Sequence, residues 1–383
     1  MRTAVISDLH LSLVSGGDVL RDPGVRGLLL ERIGAADRVV LLGDVVELRE
    51  RPLGAALELA RPFFADLGAA LAGREVVIVP GNHDHHLAEP LLDGLDLAGL
   101  ELGLEHLADP SPGPGAVLAA ELGDARLRIA YPGIWLREDV YATHGHYMDQ
   151  HLTLPRAECI ATAAVARVRG PVPAAAIPAD YERVLRPIYG LAYAIAQGRR
   201  RPVGQQQRAA ESAWETLAGV ERERGRRDRL AVAAARAAFP PAVRGLNRLL
   251  RSRFEPDVSG TAIFRGGLEA AAELAVRLGV DDGHVITGHS HRGGPIEAEA
   301  EWQLPGGGHL HNTGSWVFSS VFHLPGAPPN PYWPGTVTWV EDEGPPRREQ
   351  LLLDRSHADL VAVVEGLGGR PLNRAAAGSA SPA

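Results

Sequence analysis

Short apolar runs and longer amphipathic stretches alternate along the N-terminal part of the chain. Three runs are rich in β-branched residues and end in polar residues or glycine: TAVIS (3–7), RVVLL (38–42) and EVVIV (75–79). Between the second and third runs, apolar side chains recur with a helical period over residues 53–73. Strands and helices that alternate at this spacing predict βαβ units and a largely parallel sheet.

The strand pattern continues and is then interrupted by a long helical stretch. Further strands are predicted at 115–121, 126–131, 139–143, 284–288 and 336–340. Gly123-Asp124 lies between the first two of these and predicts a hairpin. From 151 to 280 the chain is rich in alanine and arginine and has helical periodicity, which predicts helices over 179–201 and 205–239.

These patterns divide the chain into three parts. We predict an α/β core formed by 1–150 and 281–345, a helical insertion at 151–280, and a C-terminal extension at 346–383 whose end is disordered. A chain of 383 residues is long enough for two domains, or for one domain with an insertion.

The charge of the chain is unevenly distributed. All 39 basic residues are arginines, and the net charge is -8. Residues 151–254 nevertheless contain 19 arginines against 8 acidic residues, so a basic insertion interrupts an acidic core. The basic segment predicts attraction to anionic substrates and suggests peripheral contact with an anionic membrane.

Cysteine content and hydropathy indicate the compartment. Cys159 is the single cysteine, which excludes a disulfide framework within the chain and fits a reducing compartment. No run of about 18 apolar residues is present, and the N-terminus lacks the features of a signal peptide. We therefore expect a cytoplasmic protein.

Polar side chains with metal-binding chemistry follow five of the predicted strands. These residues are Asp8 and His10, Asp44, Asn82, His144, and His289 with His291. In open α/β sheets the ligand site lies beyond the carboxyl ends of the strands, so these side chains are expected to meet. Their number suits two metal ions that share a carboxylate. Mixed nitrogen and oxygen ligands favour Mn, Fe or Zn over Ca or Mg.

The five motifs DLH, GDVVE, GNHD, HGH and GHSH, in this order, resemble those of the calcineurin-like metallophosphoesterases. The resemblance covers residues 1 to about 150 and 281 to about 340, but not the insertion. It implies a calcineurin-like α/β sandwich of two sheets flanked by helices, in which 1–150 and 281–345 form the catalytic core. It also implies two divalent metal ions, with Mn as the first choice and Fe or Zn as alternatives.

The resemblance further assigns roles to individual residues. One metal ion would be held by Asp8, His10, Asp44 and His291, and the other by Asp44, Asn82, His144 and His289. His83 would face the substrate and stabilise or protonate the leaving oxygen. Glu47 stands where many members carry an aspartate that orients this histidine.

The resulting functional prediction is a dinuclear metal-dependent phosphoesterase. It would hydrolyse a phosphomonoester, phosphodiester or pyrophosphate bond of a small-molecule or lipid-linked substrate by metal-bound hydroxide. An alternative is an enzyme resembling UDP-diacylglucosamine pyrophosphohydrolases, and an alternative outside the enzymes is a metal-bearing interaction scaffold. A P-loop is excluded because the chain has no lysine. Specific nucleic-acid binding is not expected, since Trp214 is the one aromatic residue among the arginines of 199–229.

Two interpretations stay open for the insertion and for several histidines outside the predicted ligand set. The insertion is either a plain helical cap or a lid that selects substrates, and its segment 188–196 is apolar on nearly all sides. His85, His86 and His146, together with His309 and His311, are either close to the site or ordinary packing and surface residues.

Overall fold

A computed structural model describes residues 1–198, 226–297, 299–300, 302–319 and 330–369. Its strands are β1 Thr3–Ile6, β2 Arg38–Leu41, β3 Glu75–Ile78, β4 Glu105–Ala108, β5 Arg126–Arg137, β6 Val140–Thr143, β7 His284–Thr287, β8 His309–Asn312, β9 Thr336–Val340 and β10 Arg347–Gln350. Its α-helices are α1 Pro23–Ile33, α2 Leu53–Ala70, α3 Glu89–Ala98, α4 Pro114–Glu121, α5 Ala157–Arg169, α6 Pro178–Gln197, α7 Arg226–Leu250, α8 Gly260–Leu278 and α9 His357–Gly366.

The described strands form one hydrogen-bonded sheet in the order β10-β9-β1-β2-β3-β5-β6-β7-β8, with β4 paired to β5. β1, β2, β3 and β5 are parallel neighbours, and β6, β7 and β8 are a second parallel set. The predicted βαβ arrangement and largely parallel sheet are therefore confirmed. β9 and β10 extend the first edge in antiparallel pairing.

The long strand β5 joins two parts of the sheet. Its residues 126–129 pair with β3, whereas 133–137 pair with β6. The sheet is curled, as the contact between the segments after β1 and β7 shows. Four strands separate β1 from β7 in the strand order, yet the backbone amide of His289 donates to Oδ2 of Asp8 at 3.0 Å. The predicted α/β fold with two sheet layers is confirmed, with the addition that hydrogen bonds continue through β5.

Side chains alternate between the two faces of each strand, and the buried apolar residues therefore form separate clusters on the inner and outer sides of the sheet. Val5, Val40 and Val77 pack with Ala142 and Ile286 on the inner face of the curled sheet. The alternate residues of β1, β2 and β3 face helices α1, α2, α4 and α9 on one outer side. The outer side of β6, β7 and β8 packs against the helices of the insertion.

The predicted strand at 115–121 and its hairpin are wrong, because this segment is helix α4. Pro114 occupies the first turn, where its missing N–H costs nothing, and the following alanines favour a helix. Leu118 is buried against the core shared with α2. A short apolar run cannot be assigned to strand or helix by periodicity alone. β4, β8 and β10 were not predicted.

The described part of the insertion is helical, as predicted. α6 matches the helix expected over 179–201, although residues 199–201 lie outside the described residues. The helix expected over 205–239 lies partly outside them, and its described part, α7, extends to Leu250. The expected disordered end lies outside them as well. No helix among the described residues is long and apolar enough to cross a membrane.

Candidate metal centre

Each of the predicted ligands lies just beyond the carboxyl end of a strand, and the curled sheet brings them together. Two groups of three residues place one ligand atom each within 4.8 Å of the others: Asp8, His10 and His291, and Asp44, His144 and His289. Asn82 joins the second group, with its Oδ1 3.1 Å from Nδ1 of His289 and 3.3 Å from Nε2 of His144. The ligand roles themselves stay predictions.

Asp44 lies between the two groups. Its Oδ2 is 3.2 Å from Nε2 of His144 and 3.5 Å from Nε2 of His10. In the first group, Nε2 of His291 is 3.1 Å from Nε2 of His10 and 3.3 Å from Oδ1 of Asp8. Oδ2 of Asp44 is thus within reach of both groups, while Oδ1 accepts from the backbone N–H of His83. A carboxylate between two groups has the position that a bridging ligand requires.

The chemistry of the donor set tests whether it fits cations. The side-chain amide of Asn82 lies against the ring nitrogens of His144 and His289 in either orientation. Oδ1 of Asp8 is buried and has no hydrogen-bond partner among the described residues. Carboxylate oxygens and imidazole nitrogens that converge in this way suit Mn, Fe or Zn. The residues present therefore fit a divalent metal.

Three histidines are held through the ring nitrogen that faces away from the centre. Nδ1 of His144 donates to the carbonyl oxygen of Leu42 at 2.9 Å. Nδ1 of His10 lies 3.0 Å from Oε2 of Glu47. Nε2 of His289 lies 2.9 Å from Oδ1 of Asp149. Such partners fix the tautomer and the ring direction, leaving the opposite nitrogen of each ring to bind a metal.

Five predicted ligands have left-handed backbone conformations. Their φ angles are 53° for Asp8, 45° for His10, 51° for Asp44, 66° for His289 and 58° for His291. Residues other than glycine seldom adopt positive φ, which costs about 1–3 kcal/mol each. Strain concentrated at these positions is typical of a functional site.

The carboxylates of the centre favour protonated imidazoles when no cation competes. Burial opposes the charge on His144, but Asp44 and Asp8 raise its pKa to about 10. Burial likewise opposes the charge on His10, yet Glu47 and Asp44 raise its pKa to about 9. Because a ligating imidazole must be neutral, cation binding has to displace these protons.

His83 and Glu47 lie beside the ligands as a pair. Nδ1 of His83 is 2.5 Å from Oε2 of Glu47, the same oxygen that faces His10. The side chain of His83 is 25% exposed, whereas Glu47 is fully buried. His83 also forms a group within 4.8 Å with His10 and Asp44. The structure thus places Glu47 where it can orient His83, and their catalytic roles stay predictions.

Three further residues shape the centre and were not assigned by sequence analysis. The buried carboxylate of Asp84 accepts hydrogen bonds from the backbone N–H groups of Asp44, Val45, Val46 and Gly81, tying two ligand loops together. Arg49 reaches Asn82, and Asp149 holds His289. Asp84 belongs to the GNHD motif and could have been found there. Nothing in the sequence marked Arg49 or Asp149.

The surplus histidines divide into two sets. His85 and His146 are buried, and the ring of His86 stacks on Tyr193 with 3.9 Å between centroids. His309 and His311 lie on β8, where Nε2 of His311 is 3.0 Å from Nδ1 of His284. None of these five histidines belongs to a possible metal-ligating group among the described residues.

Comparison with known proteins supports the motif analysis over part of the chain. The model of the calcineurin-like phosphoesterase family matches residues 1–161. This span includes the first four motifs but ends before His289 and His291. A solved structure of a dimetal phosphatase from Danio rerio is similar at 14% identity, with 88% of this chain and 95% of that chain covered and a TM-score of 0.32. No curated protein matches the chain.

Proposed function

We propose, on the premise that residues 1–161 carry a calcineurin-like phosphoesterase domain, that the chain is a metal-dependent phosphoester hydrolase with a dinuclear centre. The observation that carries the proposal is the position of Asp44. Its Oδ2 lies within 3.5 Å of both His10 and His144, which belong to two different groups of convergent nitrogen and oxygen atoms. A single buried aspartate in this place can serve two cations.

The first cation would be held by Asp8, His10, Asp44 and His291, and the second by Asp44, Asn82, His144 and His289. When bound, two such cations supply charge stabilisation for an in-line phosphoryl centre and an activated water near neutral pH. The nitrogen-rich donor set favours Mn, Fe or Zn, and we propose Mn.

His83 would supply the proton for the leaving oxygen. The hydrogen bond to Glu47 engages Nδ1, so Nε2 is the nitrogen that can face a substrate. The pKa of Glu47 is held below its ordinary value: burial opposes its charge, but His83 and His10 outweigh burial. A positioned acid–base group of this kind contributes about 10²–10⁴ in rate.

Arg49 would bind a phosphoryl oxygen. Nη1 of Arg49 lies 2.9 Å from the side-chain amide of Asn82, a predicted ligand. Nη2 of Arg49 is held at 3.0 Å by Glu158 of α5. The guanidinium is therefore fixed beside the centre, where it could donate to an anionic phosphoryl oxygen, since charge-assisted hydrogen bonds of this type are strong.

The test uses the full chain stripped of metal by chelation and reloaded with Mn, Fe or Zn. We expect turnover of an aryl phosphomonoester or phosphodiester only after reloading, and none in Asp44→Asn. Asp109→Asn, an exposed carboxylate far from the centre in sequence, is the matched control. A reloaded wild-type chain that binds metal but hydrolyses neither ester nor a pyrophosphate would favour the interaction scaffold instead.

A lipid-linked substrate is a second candidate, favoured by the surface of α6. The segment 188–196, which is apolar on nearly all sides, is only partly buried: Tyr189 is buried, but Leu191 is 62% exposed. Leu97 and Leu100, in and just after α3, are also exposed, and a cavity of about 580 Å³ lies between α3 and α6. Flotation with anionic vesicles at low salt tests this candidate, and binding that disappears in Leu191→Ser would support it.

A further inference from the structure

Asp149 lies immediately before the helical insertion and contacts a predicted ligand. Its Oδ1 is 2.9 Å from Nε2 of His289, and both side chains are buried. Nδ1 of the same ring faces Asn82 at 3.1 Å. The imidazole therefore lies between a carboxylate and the candidate metal position. A carboxylate in this place fixes the tautomer and the direction of the ring.

The turn that carries Asp149 is held by the insertion. Residues His146–Gln150 form a short 3₁₀ turn that packs against α5, α6 and α8. The ring of Tyr147 on this turn stacks on Tyr181 of α6, with 4.8 Å between centroids and 4° between the planes. The neighbouring Met148 is buried in the same apolar cluster as the insertion helices. The insertion helices therefore hold this turn in place by packing against it.

A buried carboxylate of α6 fastens two ligand loops at once. Oε1 of Glu182 accepts from the hydroxyl of Tyr147 at 2.7 Å, on the loop that follows His144. Its Oε2 is 3.0 Å from Nε2 of His85, on the loop that carries Asn82. One side chain of the insertion therefore links the loops that supply two predicted ligands.

We propose that the helical insertion is a structural part of the metal centre, and that Asp149 is the positioning residue through which it acts. Asp149 fixes His289 for the site formed by Asp44, Asn82, His144 and His289, and the insertion keeps the turn of Asp149 in place. The inference rests on the dinuclear centre of the proposed function. It gives the insertion a role that neither a plain cap nor a substrate lid requires.

Metal binding, measured apart from activity, tests this role. Full-length wild type, Asp149→Ala, Asp149→Asn and the control Gln150→Ala are stripped of metal and titrated with Mn²⁺ by calorimetry, with metal content checked by elemental analysis. Gln150 is on the same turn, and its side-chain oxygen has no hydrogen-bond partner among the described residues. Wild type and the control should bind two ions. Asp149→Ala should keep one ion at wild-type affinity and bind the other about 10–100-fold more weakly.

Asp149→Asn should lose less than the alanine variant, because its amide oxygen can still accept from Nε2 of His289. This partial rescue separates positioning from a general loss of structure, which thermal unfolding of the metal-free variants measures independently. Equal weakening of both ions in Asp149→Ala, with a lower thermal midpoint, would overturn the inference. So would two ions at wild-type affinity. A wild-type chain that binds no Mn²⁺ would overturn the proposed function, and this inference with it.

Discussion

Oε2 of Glu47 lies 2.5 Å from Nδ1 of His83. The side chain of Glu47 is fully buried, whereas that of His83 is 25% exposed. The same carboxylate oxygen lies 3.0 Å from Nδ1 of His10. Glu47 therefore links a predicted metal ligand to a predicted proton donor. Replacing His83 and replacing Glu47 should have different consequences.

His83→Ala should retain two metal ions and lose about 10²–10⁴ in kcat for an alkyl phosphoester, because its leaving group needs a proton. An aryl ester should lose much less, since its leaving group is stable as an anion. Steady-state kinetics on both esters, with metal analysis, measures the difference. His86→Ala, on the same loop and stacked on Tyr193, is the control and should keep both activities. Loss of a metal ion in His83→Ala would show that His83 is a ligand instead.

Glu47→Gln should affect both partners. The neutral amide holds the rings of His83 and His10 less firmly than the carboxylate does. We expect a lower kcat together with weaker binding of the ion that His10 ligates. A variant with unchanged metal affinity would show that the contact with His10 does not position the ring.

Gly81→Ala should damage the centre without removing any ligand. A Cβ at Gly81 would overlap Oδ1 of Asp44 and lie 2.6 Å from Cδ2 of His144. Both side chains would have to move, so metal affinity and kcat should fall together. Gly54→Ala in α2 is the control, since a Cβ there meets no atom within 4 Å and should leave the centre unchanged. A fully active Gly81→Ala would contradict the close packing of these ligands.

Arg49→Gln should raise KM for anionic substrates with metal content unchanged, because a charged donor to the phosphoryl group is lost. We expect a decrease in kcat/KM of about 10- to 100-fold, equivalent to a charge-assisted hydrogen bond of about 1.5–3 kcal/mol. Arg49→Lys keeps the charge but not the paired donors, and should recover part of the loss. Arg61→Gln, on the surface beside Glu58, is the control. An unchanged KM in Arg49→Gln would remove Arg49 from substrate binding.

The buried pair of His85 and Glu182 predicts a pH-dependent stability. Burial opposes the charge on His85, but Glu182 and Glu89 raise its pKa to about 9 from an ordinary value of 6.5. A raised pKa in the folded state means that the pair stabilises fully below pH 6.5, and that this contribution is lost as the pH rises through 9. Urea unfolding of the wild type should therefore show falling stability between pH 6.5 and 9.

Glu182→Gln should remove this part of the pH dependence and reduce the free energy of unfolding near pH 7 by about 3–5 kcal/mol, because a buried charge loses its partner. Glu273→Gln, which disrupts a partly exposed ion pair with Arg277 on α8, should leave the slope unchanged. The same slope in Glu182→Gln as in the wild type would show that another group titrates in this range.

Sequence patterns were sufficient to predict the central strands and the polar residues that follow them. Apolar runs of β-branched residues predicted β1, β2, β3, β6, β7 and β9, because buried strands need such residues on both faces. Within each parallel set of strands the carboxyl ends lie side by side, so motif residues of one set are expected to meet. The curl of the sheet brings the two sets together, because β5 and β6 pair in antiparallel fashion. The ligand roles of the seven residues stay predictions.

The tertiary structure decided everything that depends on contacts between distant parts of the chain. β4, β8 and β10 are rich in polar residues, and pairing with a neighbouring strand stabilises them more than their own propensity does. The positive φ angles at Asp44 and at four other predicted ligands are held by surrounding hydrogen bonds that no local pattern encodes. Asp149 and Glu182 look like ordinary acidic residues in the sequence. Their importance arises because folding brings each against a histidine more than 90 positions away, where burial makes an unpaired partner costly.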